Sequence, residues 1–141
     1  MKVSLNWLRR HVDLPENAEE VAKALTSIGL EVEGTEEPGK VYDKLVVAKV
    51  LTCEAHPDSD HLHITTVNDG KETLQVACGA PNVAAGQTVA LAPIGAELPL
   101  PDGTKLKMKK SKIRGVESFG MICAEDEIGL SDDHAGIMVL D

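Results

Sequence analysis

The stretch His61-Leu62-His63-Ile64-Thr65-Thr66-Val67-Asn68-Asp69-Gly70-Lys71-Glu72-Thr73-Leu74-Gln75-Val76-Ala77 decides the fold class. His61–Val67 is rich in β-branched residues, which suit a pleated, half-buried surface. Asn68-Asp69-Gly70 then supplies residues that tolerate positive φ, and Thr73–Ala77 returns, so the segment predicts a β-hairpin. Upstream, Leu45–Leu51 is another β-rich run; downstream, Thr88–Ala92 follows, then the turn-rich Pro99-Leu100-Pro101-Asp102-Gly103. A basic strand and the apolar Met121-Ile122 and Ile137–Leu140 complete the series. Five or six short strands within about 100 residues predict a small sandwich or barrel, with the five-stranded oligonucleotide-binding barrel among the candidates. Strand pattern alone does not separate these.

The first forty or so residues read differently. Asn17-Ala18-Glu19-Glu20 fits a capping box, Asn17 capping and Glu20 reaching back to its amide. Val21, Leu25 and Ile28 recur at helical spacing, and Gly29 is a natural stop, so a helix is expected. Leu5, Leu8 and Val12 form a further apolar stripe, compatible with helix or strand over Met1–His11. The polar Gly34-Thr35-Glu36-Glu37-Pro38-Gly39 breaks the chain. The expected organisation is a separate segment over residues 1–39 and the β-rich domain over 40–141.

A chain of 141 residues holds one domain with a real core, or one domain plus an appendage. Its 43% hydrophobic and 26% charged residues are ordinary for a globular protein. No stretch approaches the roughly 20 apolar residues of a membrane helix, and Met1–Trp7 lacks the apolar run of a secretion signal. A cytoplasmic protein with no membrane partner is the expectation. Cys53, Cys78 and Cys123 are odd in number and far apart, which predicts small core thiols and no disulfide framework.

The net charge of −9 argues at first against nucleic acid. Its distribution argues the other way. Between Gly103 and Val116 lie six basic residues, Lys105, Lys107, Lys109, Lys110, Lys112 and Arg114, and no acid; the rest of the chain sums to −15. Such segregation places a local positive field on an acidic body, although a solvated lysine-rich strand carries the same composition. Lys105, Lys107 and Lys109 alternate with Leu106 and Met108, as in a half-buried strand. Beyond them Lys110, Lys112 and Arg114 alternate with Ser111 and Ile113 in the opposite parity, which predicts a bulge or turn near Lys109-Lys110.

Trp7, Tyr42 and Phe119 are the only aromatic residues. Binders of unstructured single strands stack bases on several rings. A chain this poor in them points to backbone charge and the shape of a folded RNA. Cys53, His56, His61 and His63 are of zinc-ligand type, but the second pair of a zinc-finger spacing is absent, and His56-Pro57-Asp58-Ser59-Asp60 reads equally as a turn of capping side chains. No nucleophile elbow, phosphate loop or dinucleotide fingerprint is present, so no catalytic or metal-binding residues are assigned.

Lys2-Val3-Ser4-Leu5-Asn6-Trp7-Leu8 and Leu25-Thr26-Ser27-Ile28-Gly29-Leu30-Glu31-Val32-Glu33 resemble the opening of bacterial phenylalanyl-tRNA synthetase β subunits. His56-Pro57-Asp58-Ser59-Asp60-His61-Leu62, Val76–Val83 and Lys112–Cys123 are similar to blocks of their tRNA-binding domain, which also occur in stand-alone tRNA-binding proteins and in domains appended to methionyl- and tyrosyl-tRNA synthetases. The resemblance implies a mainly β fold, an oligonucleotide-binding barrel over residues 40–141, preceded by part of a small α/β domain that the barrel interrupts. It implies a fragment of a subunit from an α2β2 ligase that charges tRNA with phenylalanine using ATP and magnesium. Catalysis, editing and anticodon recognition would then lie outside this chain, which needs no cofactor of its own. Expected partners are tRNA, the α subunit and the remainder of β, with dimerisation of the fragment left open. Lys112, Arg114, Ser118 and Asn82 occupy motif positions associated with tRNA contact in the stand-alone members. Where the family usually has lysine after Asp60, this chain has His61; histidine is largely neutral near pH 7, which moves the expected phosphate contact toward Lys105–Arg114. The competing expectation is a structural module that joins β-subunit domains or contacts a neighbouring subunit.

Overall fold

The computed structural model describes residues 1–15 and 17–140. These fall into two compact units, Met1–Pro38 and Gly39–Asp141.

In the first unit both regular elements are helices, α1 (Leu5–Leu8) and α2 (Ala18–Ser27). Ser4 caps α1, its Oγ accepting from the Trp7 amide at 3.3 Å. Asn17 caps α2 through the Glu19 amide at 2.8 Å, one residue earlier than the expected capping box places the bond. A short Asx side chain reaches the amide two residues on with least strain. Leu30 N bonds Leu25 O and Gly29 N bonds Thr26 O, the paired closure of a Schellman motif, so the helix stops where Gly29 predicts. Val21 is buried, whereas Ile28 and Leu30 are 73% and 61% exposed.

The second unit is built on one antiparallel sheet. Strand β1 (Val46–Ala55) pairs along its first half with β4 (Thr88–Pro93) and along its second with β2 (His63–Asn68). The register shifts between Val50 and Thr52, where Leu51 is the extra residue, and a bulge there lets one long strand serve two walls of a curved sheet. Strand β3 (Thr73–Cys78) pairs β2 through the predicted hairpin, with Asn68 opposite Thr73. The outer edge of β4 is shared by β9 (Gly120–Ile122), opposite Leu91–Pro93, and β10 (Val139–Leu140), opposite Val89 and Thr88. Because β3 also lies against β8 (Val116–Ser118) and β9, the strands β1, β2, β3, β9 and β4 make a nearly closed five-stranded barrel. Gly120 is required at the closure: a Cβ there would stand 2.8 Å from the Ala92 carbonyl oxygen.

Two apolar clusters sit on the two sides of β4. Ala48, Val50, Val67, Val76, Val89, Leu91 and Ile122 fill the barrel. Ala90 and Ala92, pointing the opposite way, pack with Ala96, Leu98, Cys123 and Ile128. The continuous apolar run Val89–Ala92 follows from this, since a strand covered on both faces has no polar side to alternate with. Each fully buried Val or Leu in the barrel contributes about 1.5–3 kcal/mol of transfer free energy.

Candidate nucleic-acid interface

The basic segment runs along two short ribbons that follow the barrel's fourth strand. Strand β5 (Glu97–Pro99) pairs β6 (Lys105–Lys107), and β7 (Ser111–Ile113) pairs β8. The first ribbon turns over Leu100–Thr104, where Leu100 N bonds Thr104 O at 2.8 Å and Asp102 Oδ1 accepts from the Thr104 amide at 2.9 Å. Met108 still pairs with Ala96 and Gly95, and its half-buried side chain joins the second apolar cluster. The chain then leaves this ladder at Lys109-Lys110 and enters the next. The parity slip therefore marks a change of ladder, where a bulge or turn was expected. Leu106, expected to be half-buried, is 45% exposed, although Leu98 opposite it in the ribbon is buried in the second apolar cluster.

All six cations are exposed, but they are not equivalent. Lys105 Nζ stands 3.7 Å from Glu97 Oε2, and Lys110 Nζ 3.0 Å from Glu117 Oε1. Lys110 also lies over the Phe119 ring, 5.2 Å from its centroid. Lys107, Lys109 and Lys112 have no ion-pair partner among the described residues. Arg114 Nη1 donates to the Asp58 carbonyl oxygen at 2.8 Å.

Two of the expected RNA-contact residues are part of the frame. Ser118 is 1% exposed; its Oγ accepts from Ala77 N at 3.1 Å and donates to Gly120 O at 3.0 Å, tying β8 to β3. A hydroxyl so buried and so used has no face for a phosphate. Asn82 spends both ends of its amide on one residue, Nδ2 donating to Ile137 O at 3.0 Å and Oδ1 accepting from Ile137 N at 2.9 Å. It clamps the loop after β3 to the segment entering β10. Residues that the motif reading did not single out complete the frame: Gln75 O accepts from Phe119 N, and Gln75 Nε2 donates to Glu117 O at 2.8 Å. No sequence signal marks Gln75, since a polar residue on an exposed strand face is unremarkable.

The His56–Asp60 turn is held by its own side chains. His56 is buried, its Nδ1 accepting from Asp58 N at 3.0 Å, and Ser59 Oγ accepts from the amides of His61 and Leu62. His61 Nδ1 stands 3.1 Å from Asp60 Oδ1, and that hydrogen bond holds the Asp60 carboxyl below the usual range. The Cys53 thiol is aimed at Val83 O, 3.7 Å away. Among the described residues no three His, Cys, Asp or Glu side chains are grouped to hold a metal ion. The turn reading thus describes this segment, and Cys53, His56, His61 and His63 do not converge.

A nearly closed five-stranded barrel with a cationic pair of ribbons on an acidic body defines the class of nucleic-acid-binding β-barrels. Residues 45–141 match the family described as "Putative tRNA binding domain", and the chain belongs to that family. It is 58% identical over 145 aligned residues to the phenylalanine–tRNA ligase β subunit of Bacteroides thetaiotaomicron, the match covering 99% of this chain and 17% of that subunit. The corresponding subunits of Porphyromonas gingivalis and Oceanobacillus iheyensis are 51% and 50% identical, over 99% and 95% of this chain and 18% and 16% of theirs. The chain thus spans about a sixth of the length of these relatives. Among solved structures, the MetRS related protein from Pyrococcus horikoshii superposes with a TM-score of 0.51 at 16% identity, over 76% of this chain and 89% of that one, a likeness of fold. Among the described residues no helix is long and apolar enough to cross a membrane.

Proposed function

We propose that the Gly39–Asp141 unit binds folded tRNA by electrostatic, shape-directed contact along the β5–β6 and β7–β8 ribbons. One observation carries the reading: Lys107, Lys109 and Lys112 are exposed and without an ion pair among the described residues, on a body that is otherwise strongly acidic. Lys105 and Lys110 join them by exchanging Glu97 and Glu117 for phosphate, at a cost that surface pairs of this kind keep small. The few aromatic residues of the chain disfavour base stacking and favour backbone recognition.

The names of the relatives support a wider setting: a phenylalanine–tRNA ligase β subunit in which this part holds tRNA while other parts perform ATP- and magnesium-dependent charging. In that setting residues 1–39 are part of a small domain interrupted by the barrel. The partners are the rest of β and an α subunit, in a cytoplasmic α2β2 assembly. The test is the Lys107→Ala, Lys109→Ala, Lys112→Ala triple variant of the 141-residue chain. It is expected to bind folded tRNA on the order of 100-fold more weakly at low salt. Undiminished affinity would overturn the proposed contact and favour an architectural role.

A further inference from the structure

We propose that Arg114 acts as a positioning residue, strapping the tip of the β7–β8 hairpin to the Asp58 carbonyl so that Lys112 is held ready for phosphate; this rests on the tRNA-binding reading above. The hairpin turns over Arg114-Gly115, with φ of +46° and +84°. Ile113 pairs with Val116, so these two residues form the whole loop. Two-residue loops with both central φ positive favour Asn-Gly, because Asn tolerates the left-handed region and a long side chain there is strained. Arginine at the first position is therefore a poor choice for the turn itself. Its side chain supplies a different benefit, the 2.8 Å bond from Nη1 to an oxygen 56 residues away in sequence.

The rest of the hairpin shows why a strap matters. Its strands are three residues each. The base is fixed to β3 by Ser118 Oγ to Ala77 N, by Phe119 N to Gln75 O and by Gln75 Nε2 to Glu117 O. Beyond that base, Arg114 makes the bond that fixes the tip. The far end of the strap is itself rigid, since Asp58 N donates to the buried His56 ring and Ser59 Oγ accepts two amides of the same turn. The turn also carries the exposed carboxylates of Asp58 and Asp60, the second held below the usual range by its hydrogen bond to His61. A guanidinium docked on this turn is poorly placed to meet a polyanion, whereas Lys112, within β7, faces Glu117 with no ion pair. Preorganising the hairpin removes an ordering cost that binding would otherwise carry.

Arg114→Asn separates the roles, because asparagine keeps the turn and loses the strap. In the 141-residue chain without RNA, the amides of β7 and β8 are expected to exchange with deuterium at least several-fold faster than in the parent. Towards folded tRNA the variant is expected to bind about three- to tenfold more weakly, with the slope of log K against log salt unchanged. Lys112→Ala is expected to lower that slope by about 0.7–0.9. A slope loss in Arg114→Asn equal to that of Lys112→Ala would make the guanidinium a direct phosphate contact and overturn the proposal, as would unchanged exchange or unchanged affinity. If the parent chain does not bind folded tRNA, the binding reading fails first, and the proposal falls with it whatever the exchange shows.

Discussion

Ser118 and Asn82 show what a motif position does and does not tell. Replacing Ser118 with alanine strands the part-buried Ala77 amide, and the expected loss is about 1–3 kcal/mol in urea unfolding, with no change in the salt slope of tRNA binding. Both residues are visible in sequence as members of recognisable blocks, yet their partners, Ala77 and Ile137, lie 41 and 55 residues away. No local pattern announces such pairings. The cysteines were more legible, and their reactivity follows from burial. Burial, aided by the nearby Glu127 carboxylate, pushes the Cys123 thiol up to about 12; burial raises Cys78 and Cys53 as well. Native-state alkylation should therefore label half-buried Cys53 first and leave Cys78 and Cys123 untouched until unfolding. Because the folded pKa of Cys123 lies above its ordinary value of 9.0, its stabilising contribution is complete below about pH 9 and lost as pH rises toward 12. Stability in urea should fall between pH 8 and pH 11. A pH-independent midpoint over that range would contradict this assignment. His134 offers a second titration: its hydrogen bond to Asp126, 2.8 Å long, raises its pKa above 6.5. The favourable term is complete below pH 6.5 and fades as pH rises through the raised value, and Asp126→Asn should lower that value in an NMR titration.

At the scale of elements, the test of the barrel reading is β4. Leu91 is fully buried in the barrel core, and Leu91→Ala should cost about 3–5 kcal/mol by transfer and cavity terms, lowering the urea midpoint with little change in slope. The elements best marked in sequence were those with strong local chemistry: the β2–β3 hairpin, the stop of α2 at Gly29, and the apolar run that became β4. The basic run was legible as strand and as positive charge. Its division into two ladders was legible only as a parity slip, because which strand a ribbon pairs with is decided by long-range packing. Met1–His11 was ambiguous for a related reason: four residues of α1 carry too little periodicity to separate helix from strand. The sequence reading carries Arg114 in the strand alternation of the basic run, whereas it turns with Gly115 at the hairpin tip, and nothing in the sequence names Asp58 as the partner of that arginine.

Across the whole molecule, charge segregation is the property that composition hides and order reveals. A net charge of −9 conceals a segment of six cations, and two of those six are already matched by carboxylates across their ribbons. The account's central claim is that the lysines of this segment form a small, shape-directed contact for folded tRNA. The most direct measurement is a salt titration of binding by the 141-residue chain to folded tRNA, beside an unstructured RNA of equal length. With Lys107, Lys109 and Lys112 as the contact and Lys105 and Lys110 joining them, the log–log slope should lie near about −3.5 to −4.5, at about 0.7–0.9 per phosphate, and folded tRNA should be preferred. Equal binding of both RNAs, or none to folded tRNA at low salt, would contradict the claim and leave the lysines as the solvated face of an architectural barrel.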